Sequence, residues 1–414
     1  MTSQSLHPGS VTIVGAGQAG GWVAATLRSE GFGGAITLVG EESHPPYERP
    51  PLSKDGLIGA IPVEQTYLKP LSFYEDAAIA LRMGEGVAAI DRDARRLHLS
   101  GGETLPYDLL VLATGSRPRR LALPGADSSR IHYLRDIADM LRLKARLLPG
   151  RSLAVVGGGF IGMEIAASAA HLGVATTVVE QAPSLMARVL PSVVSEHLAG
   201  LHRAKGVRIH CGARVLGFTE AGRQIAVELD GGLSVLADEV VVGVGAIPNV
   251  ELASAADLVV DDGVVVDAFG RTSDPDIRAV GDVTRHFNPL LGRYVRLESW
   301  QNAQNQAIAV ARAILGGDQP YAEPPWLWSD QYDANLQVAG LPGPDARIVL
   351  RGEPGEGHFS AFAIEHDRLT GAFTVNQPRD MRPARQLIAS GMAVSAAQLA
   401  DPRVPLQSLL KQAA

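Results

Sequence analysis

The sequence holds a single cysteine, Cys211, among 414 residues. That excludes an intramolecular disulfide framework, a CxxC dithiol and an iron–sulfur cluster held by the chain's own thiolates. In Val-Arg-Ile-His-Cys-Gly the cysteine reads as a buried thiol at a strand end. The 11 histidines fall into no HExxH or comparable spacing, so no metal is expected. Basic residues are outnumbered, 37 against 44, for a formal charge of −7. Nucleic acid, whose phosphates need a basic face, is therefore not an expected partner. Local basic stretches remain at Arg117-Pro-Arg119-Arg120 and at Arg293 and Arg296. They read either as solvated surface or as a patch for an acidic protein. Long apolar runs are also lacking. Residues 153–170 come nearest, but Glu164 and four glycines interrupt them and β-branched residues open them. That is a buried strand, a loop and a helix rather than a membrane span. The polar start MTSQSLHPGS carries no visible signal peptide, and a cytoplasmic, membrane-free protein is expected.

What the chain has in quantity is glycine, 45 residues clustered after apolar runs, where a strand must turn sharply into a helix. Val11–Val14 reads as a strand, Gly15-Ala-Gly17-Gln-Ala-Gly20 as a turn, and the following residues to about Glu30 as a helix. A second strand, 35–39, runs to Glu41. The same grammar recurs 142 residues later: strand 153–156, Gly157-Gly-Gly159-Phe-Ile-Gly162, a helix through about His171, then strand 175–179 ending on Glu180. Each copy looks like the start of a dinucleotide-binding βαβ unit. Residues 105–115 read as one buried strand stopped at Thr114-Gly115, and 238–245 as its counterpart, closed by Gly245. A further short strand ends at Gly281-Asp282.

The chemistry of such a unit is physical. Its first glycine permits the tight turn, the second lets backbone approach a pyrophosphate, and the third allows close strand–helix packing. The pyrophosphate sits where free N–H groups and the helix dipole favour an anion. An acidic residue after the second strand accepts from ribose hydroxyls and repels a 2′-phosphate, so Glu180 favours NADH over NADPH. Gln181 follows with no arginine at the next two positions. Arg188, eight residues on, keeps NADPH open.

The segments VTIVGAGQAG, YERPPLSK, LLVLATGSRPR, VVGGGFIGMEIA, TSDPDIRAVGD, ESWQNAQNQA, WLWSDQYDANLQVAGL and VNQPRDMRPARQLI together cover nearly the whole chain. In them the sequence resembles the flavoproteins with two dinucleotide-binding domains. It resembles most closely the NADH-dependent ferredoxin reductases typified by putidaredoxin reductase and the reductase component of biphenyl dioxygenase. The resemblance implies FAD at the first unit, with Gly15, Gly17, Ala19, Gly20, Glu41, Thr114 and Gly115 around it and the Asp282 carboxylate, after Gly281, on the ribityl hydroxyls. It places Arg49 near the pyrophosphate, Lys54 near the isoalloxazine and Val87 on the adenine side. Arg135, Ser299 and Trp300 also reach FAD, Trp300 lying against the flavin region. NADH is implied at the second unit, with Gly157, Gly159, Ile161, Gly162, Glu180, Arg188 and Gly245. Phe160 stands where the family carries an aromatic that screens the flavin. Glu164 faces the flavin–nicotinamide stack and pairs with Lys54, since a carboxylate in so apolar a helix is costly unless paired.

The expected fold is α/β, with two doubly wound dinucleotide-binding domains, the second inserted in the first, and a C-terminal α+β domain. Expected boundaries are 1–115 with 246–322 for FAD, 116–245 for NAD and 323–414 for the antiparallel C-terminal domain, closed by a helix over about 381–389. Cysteine decides the electron outlet. Disulfide reductases relay through a cysteine pair, and NADH oxidases and peroxidases through one cysteine soon after the first acidic residue; residues 43–53 contain none. The expected activity is therefore an FAD-dependent NADH:ferredoxin reductase. Lys54 and Glu164 act as positioning groups, and a [2Fe–2S] ferredoxin feeds a Rieske oxygenase or a cytochrome P450. A rubredoxin- or quinone-type reductase, or a redox-sensing regulatory flavoprotein resembling apoptosis-inducing factor, stays open as an alternative.

Overall fold

The computed structural model describes residues 8–413. The polar opening on which the absence of a leader was read, residues 1–7, lies outside them. The chain divides into two compact units, one of Met1–Arg49, Val63–Arg117 and Ile247–Glu323, the other of Pro50–Pro62, Pro118–Ala246 and Pro324–Ala414. The expected boundaries put residues 50–62 with the first nucleotide domain; they group instead with the second unit.

In the first unit five parallel strands lie in the order Ile277–Ala279, Leu109–Leu112, Ser10–Val14, Ala35–Gly40, Ile79–Met83. The apolar runs are buried on both faces, as central parallel strands require. The helices Gln18–Ser29 and Trp300–Ile314 share one core, where Val23, Ala24 and Leu27 lie with Ala303, Ala307 and Val310. Small residues on both helices permit that close approach. Residues 105–115 are not one strand. Thr104–Pro106 closes a separate antiparallel sheet with Arg96–Leu99 and Val87–Asp91, and the parallel strand begins only at Leu109. Pro106 is the cause: without an N–H it suits the margin of a small sheet, not the middle of a five-stranded one.

The second unit repeats the plan, with parallel strands in the order Arg208–Cys211, Ala175–Glu180, Ser152–Val156, Glu239–Val242, Ile131–His132. The register repeats as well, Ser10 facing Ala35 in one unit and Ser152 facing Ala175 in the other. Residues 324–414 add an antiparallel sheet in the order Trp326–Gln331, Ala334–Gly340, Arg368–Val375, His358–Glu365, Arg347–Glu353. Its helix runs Pro378–Ser390, longer than 381–389, because Pro378 starts it where no N–H is needed and Gly391 ends it at φ 59°. Met381, Ala384 and Leu387 bury its apolar stripe against Phe362 and Ala372. Two short helices, Ala396–Ala400 and Leu406–Leu409, follow it. Among the described residues no helix is long and apolar enough to cross a membrane, and no group of His, Cys, Asp and Glu could hold a metal ion.

His286, on the strand Thr284–Asn288 of the first unit, is wholly buried, and neither ring nitrogen has a hydrogen-bonding partner in the protein. Burial pushes its ionisation down from 6.5 to about 4. Above pH 6.5 the ring is neutral folded or unfolded and contributes nothing. As the pH falls from there towards 4, only the unfolded chain takes up the proton, so stability declines by up to ~3 kcal/mol in all. His286→Leu removes this penalty. Denaturant unfolding at pH 7 and pH 5 should show a loss about 2 kcal/mol smaller in the variant than in the parent. Equal losses would mean that His286 is not held neutral.

Candidate nucleotide-binding and redox site

Each parallel sheet delivers its first strand into a glycine turn at a helix N-terminus. Gly15 adopts φ 110°, and a Cβ there would stand 2.1 Å from the Ala113 carbonyl oxygen. A Cβ on Gly20 would stand 1.9 Å from the Gly15 carbonyl oxygen. Neither position tolerates a side chain. Gly17 differs: its Cβ would meet no protein atom within 4 Å. The turn is closed towards the protein and open on the side where a phosphate would approach the helix N-terminus. The second unit reproduces this at Gly157 and Gly162, with Gly159 as the open position. Two pyrophosphate cradles of this form fit two dinucleotides.

Around the first turn the structure ties distant segments together. Ala19 is buried in the first turn of the helix, and Gly281 approaches it closely, a Cβ on Gly281 falling 2.9 Å from the Ala19 methyl. The Gly281 N–H donates to Gln306 Oε1 at 2.7 Å, and Ser116 Oγ donates to Asp282 Oδ2 at 3.1 Å. Thr114 Oγ1 donates to the Asn249 carbonyl at 2.8 Å, while Asn249 Nδ2 donates back to the Thr114 carbonyl and its N–H to that of Gly115. Arg49 donates to Glu42 Oε1 at 2.8 Å and to the Tyr47 hydroxyl at 2.9 Å. Burial pulls its guanidinium down, but its interactions with Tyr47 and Glu42, the Glu42 hydrogen bond among them, and the Asp282 charge outweigh that and hold it above the ordinary range. Ser299 caps the helix Trp300–Ile314 by accepting from the Asn302 N–H. With the Gln18 amide turned to suit, its oxygen accepts from the Trp300 indole at 3.0 Å and from Trp22 at 3.2 Å. Glu41 follows its strand as an exposed side chain, and Val87 packs partly buried beside Leu97 and Tyr107.

In the second unit the Glu180 carboxylate closes its own loop, accepting from the Gly158 N–H at 2.6 Å and the Ala182 N–H at 2.7 Å. Arg188 and Ile161 are exposed and Phe160 is half-buried. Gly245 adopts φ 113° and its carbonyl accepts from the Arg119 N–H at 2.9 Å. The Arg135 N–H donates to Asp139 Oδ2 at 2.9 Å, within a capping box that starts the helix Ile137–Lys144.

Glu164, in the helix Phe160–His171, is 4% exposed. Lys54 Nζ lies 3.3 Å from Oε1, Ser329 Oγ donates to the same oxygen at 2.6 Å, and Ser53 Oγ donates to Oε2 at 2.5 Å. Burial raises the carboxyl, the Lys54 charge and the serine hydroxyls offset only part of that, and the net direction stays above the usual carboxylate range. Lys54 also approaches Asp330 Oδ2 at 3.8 Å and lies over the Trp328 ring at 5.7 Å, which stacks on Trp326. Ser53, Ser329, Gln306 and Asn249 were not foreseen from the sequence. Ser53 in YERPPLSK, Gln306 in ESWQNAQNQA and Ser329 in WLWSDQYDANLQVAGL lie in segments that carry the resemblance, which could have marked them; Asn249 lies in none. Of the basic candidates, Arg117 pairs with Glu251 at 2.5 Å, Arg296 is engaged by Asp262 and Glu298, and Arg120 lies over the Tyr133 ring. Arg293 stays exposed.

Two glycine-turn parallel folds with a buried Lys–Glu pair define a class, the oxidoreductases that hold a flavin and a nicotinamide dinucleotide on separate folds. The pyridine nucleotide-disulphide oxidoreductase family matches residues 9–307, and a reductase C-terminal family matches residues 326–410. The chain belongs to the pyridine nucleotide-disulphide oxidoreductase family. It is 48% identical over 400 residues to the ferredoxin–NAD(+) reductase component of the anthranilate 1,2-dioxygenase system of Burkholderia cepacia, spanning 96% of this chain and 98% of that one. It is 41% identical over 411 residues to putidaredoxin reductase of Pseudomonas putida, spanning 98% of this chain and 97% of that one. Among solved structures, the covalent putidaredoxin reductase–putidaredoxin complex matches with a TM-score of 0.93 at 40% identity, over 97% of this chain and 98% of that one.

The open glycines provide a test of the cradles. A methyl on Gly17 or Gly159 meets no protein atom within 4 Å, so only a ligand would be crowded. Gly17→Ala should purify folded, with an unchanged circular dichroism spectrum and reduced FAD content. Gly159→Ala should keep its FAD and show a KM for NADH raised roughly tenfold, equivalent to ~1.4 kcal/mol of lost binding. Full FAD occupancy in the first variant would remove Gly17 from the cradle.

Proposed function

We propose that this chain takes hydride equivalents from NADH and hands single electrons to a [2Fe–2S] ferredoxin that serves a Rieske oxygenase or a cytochrome P450. It is an FAD-dependent ferredoxin–NAD(+) oxidoreductase, with FAD and NAD as its cofactors. The observation that carries the reading is the state of its one cysteine. Cys211, half-buried rather than buried as expected because its strand lies at the edge of the sheet, stands opposite Glu180, and desolvation together with the Glu180 charge raises its thiol above the ordinary range. Such a thiol is a poor nucleophile, and it stands far in sequence from the first glycine turn. Electrons therefore have no dithiol relay inside the chain and leave to an outside acceptor.

FAD, when bound, supplies the conversion of a hydride into two single electrons. Everything else falls to side chains. With FAD bound, Arg49, held by Glu42 and Tyr47, would set positive charge near the pyrophosphate, and Asp282 would accept from the ribityl chain. Lys54 would place an ammonium beside the isoalloxazine, and Glu164, which pairs with that ammonium, would hold the nicotinamide carboxamide. Phe160 would screen the flavin ring until NADH binds. Both oxygens of Glu180 already hold the loop, and their remaining lone pairs could accept from an adenosine ribose. The work is alignment and exclusion of water, with no residue needed as acid or base. A cytoplasmic site of action, where NADH is supplied, goes with this reading.

Two measurements test it. Cys211→Ser should reduce a [2Fe–2S] ferredoxin at the parent's rate in stopped flow with NADH. Loss of that activity, with flavin reduction intact, would return a thiol to the electron path and overturn the reading. Glu180→Ala bares the Gly158 and Ala182 N–H groups to a 2′-phosphate. The kcat/KM ratio of NADH over NADPH should then fall at least tenfold, about 1.4 kcal/mol. An unchanged ratio would remove Glu180 from cofactor selection.

A further inference from the structure

Glu164 is the end of a longer buried chain. Its Oε1 accepts from Ser329 Oγ at 2.6 Å, Ser329 Oγ accepts from Gln331 Nε2 at 3.0 Å, and Gln331 Oε1 lies 2.8 Å from His202 Nε2. His202 Nδ1 lies 3.3 Å from the Tyr332 hydroxyl. Ser329, Gln331 and His202 are all fully buried. Glu164 is on the helix Phe160–His171 and His202 on the helix Ser192–Ala204. Ser329 and Gln331 are alternate residues on one face of the strand Trp326–Gln331. Tyr332, in the turn after that strand, keeps φ 57°, a region an aromatic residue rarely adopts. Its ring meets His202 edge-on at 5.0 Å and carries Lys205 over its face at 5.6 Å.

The direction of every bond follows from one end. An ionised carboxylate has no proton to give, so the Ser329 hydroxyl must donate to it. Ser329 then has only lone pairs left for Gln331, so the amide must present its NH₂ to Ser329 and its oxygen to His202. His202 must therefore carry its proton on Nε2, which leaves Nδ1 to accept from Tyr332. We propose that Tyr332, His202, Gln331 and Ser329 form a one-directional chain of donors that positions Glu164 and holds its carboxylate as an acceptor, with His202 as the distal positioning residue. Burial lowers the His202 ionisation, which keeps the ring neutral at neutral pH, and burial raises the Tyr332 hydroxyl to about 12, which keeps its proton. The groups facing the carboxylate are Lys54, Ser53 and Ser329, with Asp330 behind Lys54. Lys205 is the cation at the far end. Such a chain polarises each bond along it, so a donor lost at one end weakens the contact at the other.

Removing His202 breaks the logic at a single point. Gln331 Oε1 loses its donor, the amide is free to turn over, and the Ser329 hydroxyl can then donate to Gln331 instead of Glu164. The consequence for NADH rests on the reading of Glu164 as the group facing the nicotinamide; the chain itself does not. The first test is ring ¹⁵N NMR of the FAD-loaded protein labelled at histidine, with the His202 signal assigned by its loss in His202→Phe. The expected result is a neutral ring protonated at Nε2 alone. An Nδ1–H ring, or an equal mixture, overturns the proposal, and this measurement needs no folded variant beyond the assignment. The second test follows the infrared carboxylic-acid band that is absent in Glu164→Gln as the pH is lowered. In His202→Phe it should appear about one pH unit higher than in the parent, a tenfold gain in proton affinity. His202→Gln, whose amide can again donate to Gln331, should restore most of the shift. Coincident midpoints in parent and His202→Phe would end the chain at Ser329 and overturn the role of His202. Unchanged NADH affinity and flavin reduction in Glu164→Gln would instead sink the nicotinamide reading alone, leaving both spectroscopic results to stand.

Discussion

A carboxylate in an apolar helix is one of the most costly groups a protein can bury, and Glu164 sits among Met163, Ile165, Ala166 and Ala167, all of them buried. The helix alone cannot satisfy it. Its compensation arrives from elsewhere in the chain, Lys54 and Ser53 from residues 50–62 and Ser329 from the C-terminal sheet. Those segments are the ones that group with the second unit rather than with their sequence neighbours. Breaking such a buried, hydrogen-bonded pair from one side leaves an unpaired charge and costs about 3–5 kcal/mol in comparable cases. Glu164 is therefore the residue on which three chain segments meet around one helix.

The parallel sheets were legible for a related reason. A central strand buried on both faces must be apolar along its length, and a strand that turns at once into a helix needs glycine where Gly15 and Gly157 stand. Both demands are local, so 11–14, 35–39, 153–156 and 175–179 were readable to within a residue of the strands observed. The failures share the opposite cause. Residues 105–115 are apolar throughout, and nothing in hydropathy marks Pro106 as the point where the chain leaves one sheet for another. The grouping of residues 50–62 rests on partners more than a hundred positions away, which no spacing rule reaches.

The same division runs through the candidate site. The glycine turns at Gly15 and Gly157 and the acidic Glu180 could be picked out from type and spacing, and Lys54, Glu164 and Asp282 from segments that carry the family resemblance. Ser53, Ser329, Gln331 and His202 were not picked out. Their roles are set by contacts spanning 111, 165 and 129 positions, and serine, glutamine and histidine are common enough that none stands out in its own segment. Gln306 and Asn249 are similar, each an amide whose meaning is the backbone it pins, Gly281 for one and Thr114 for the other. Glycine turns leave a mark in sequence, while the groups that hold a buried side chain are visible only in three dimensions.

The family to which the chain belongs is named for disulphide chemistry, yet no pair of thiols exists here to carry it. In a dithiol enzyme the second redox step is covalent, and the protein controls it through the thiolate. Without thiols, that control passes to noncovalent means. Backbone turns can align a nucleotide, and a buried ammonium such as Lys54 can be fixed by a carboxylate that is itself held by hydroxyl donors. Each of these is a matter of orientation rather than reactivity, which hydrogen bonds in a dry interior supply well. Buried polar side chains run from Glu164 through Ser329 and Gln331 to His202, and hydrogen bonds of that kind can supply such orientation.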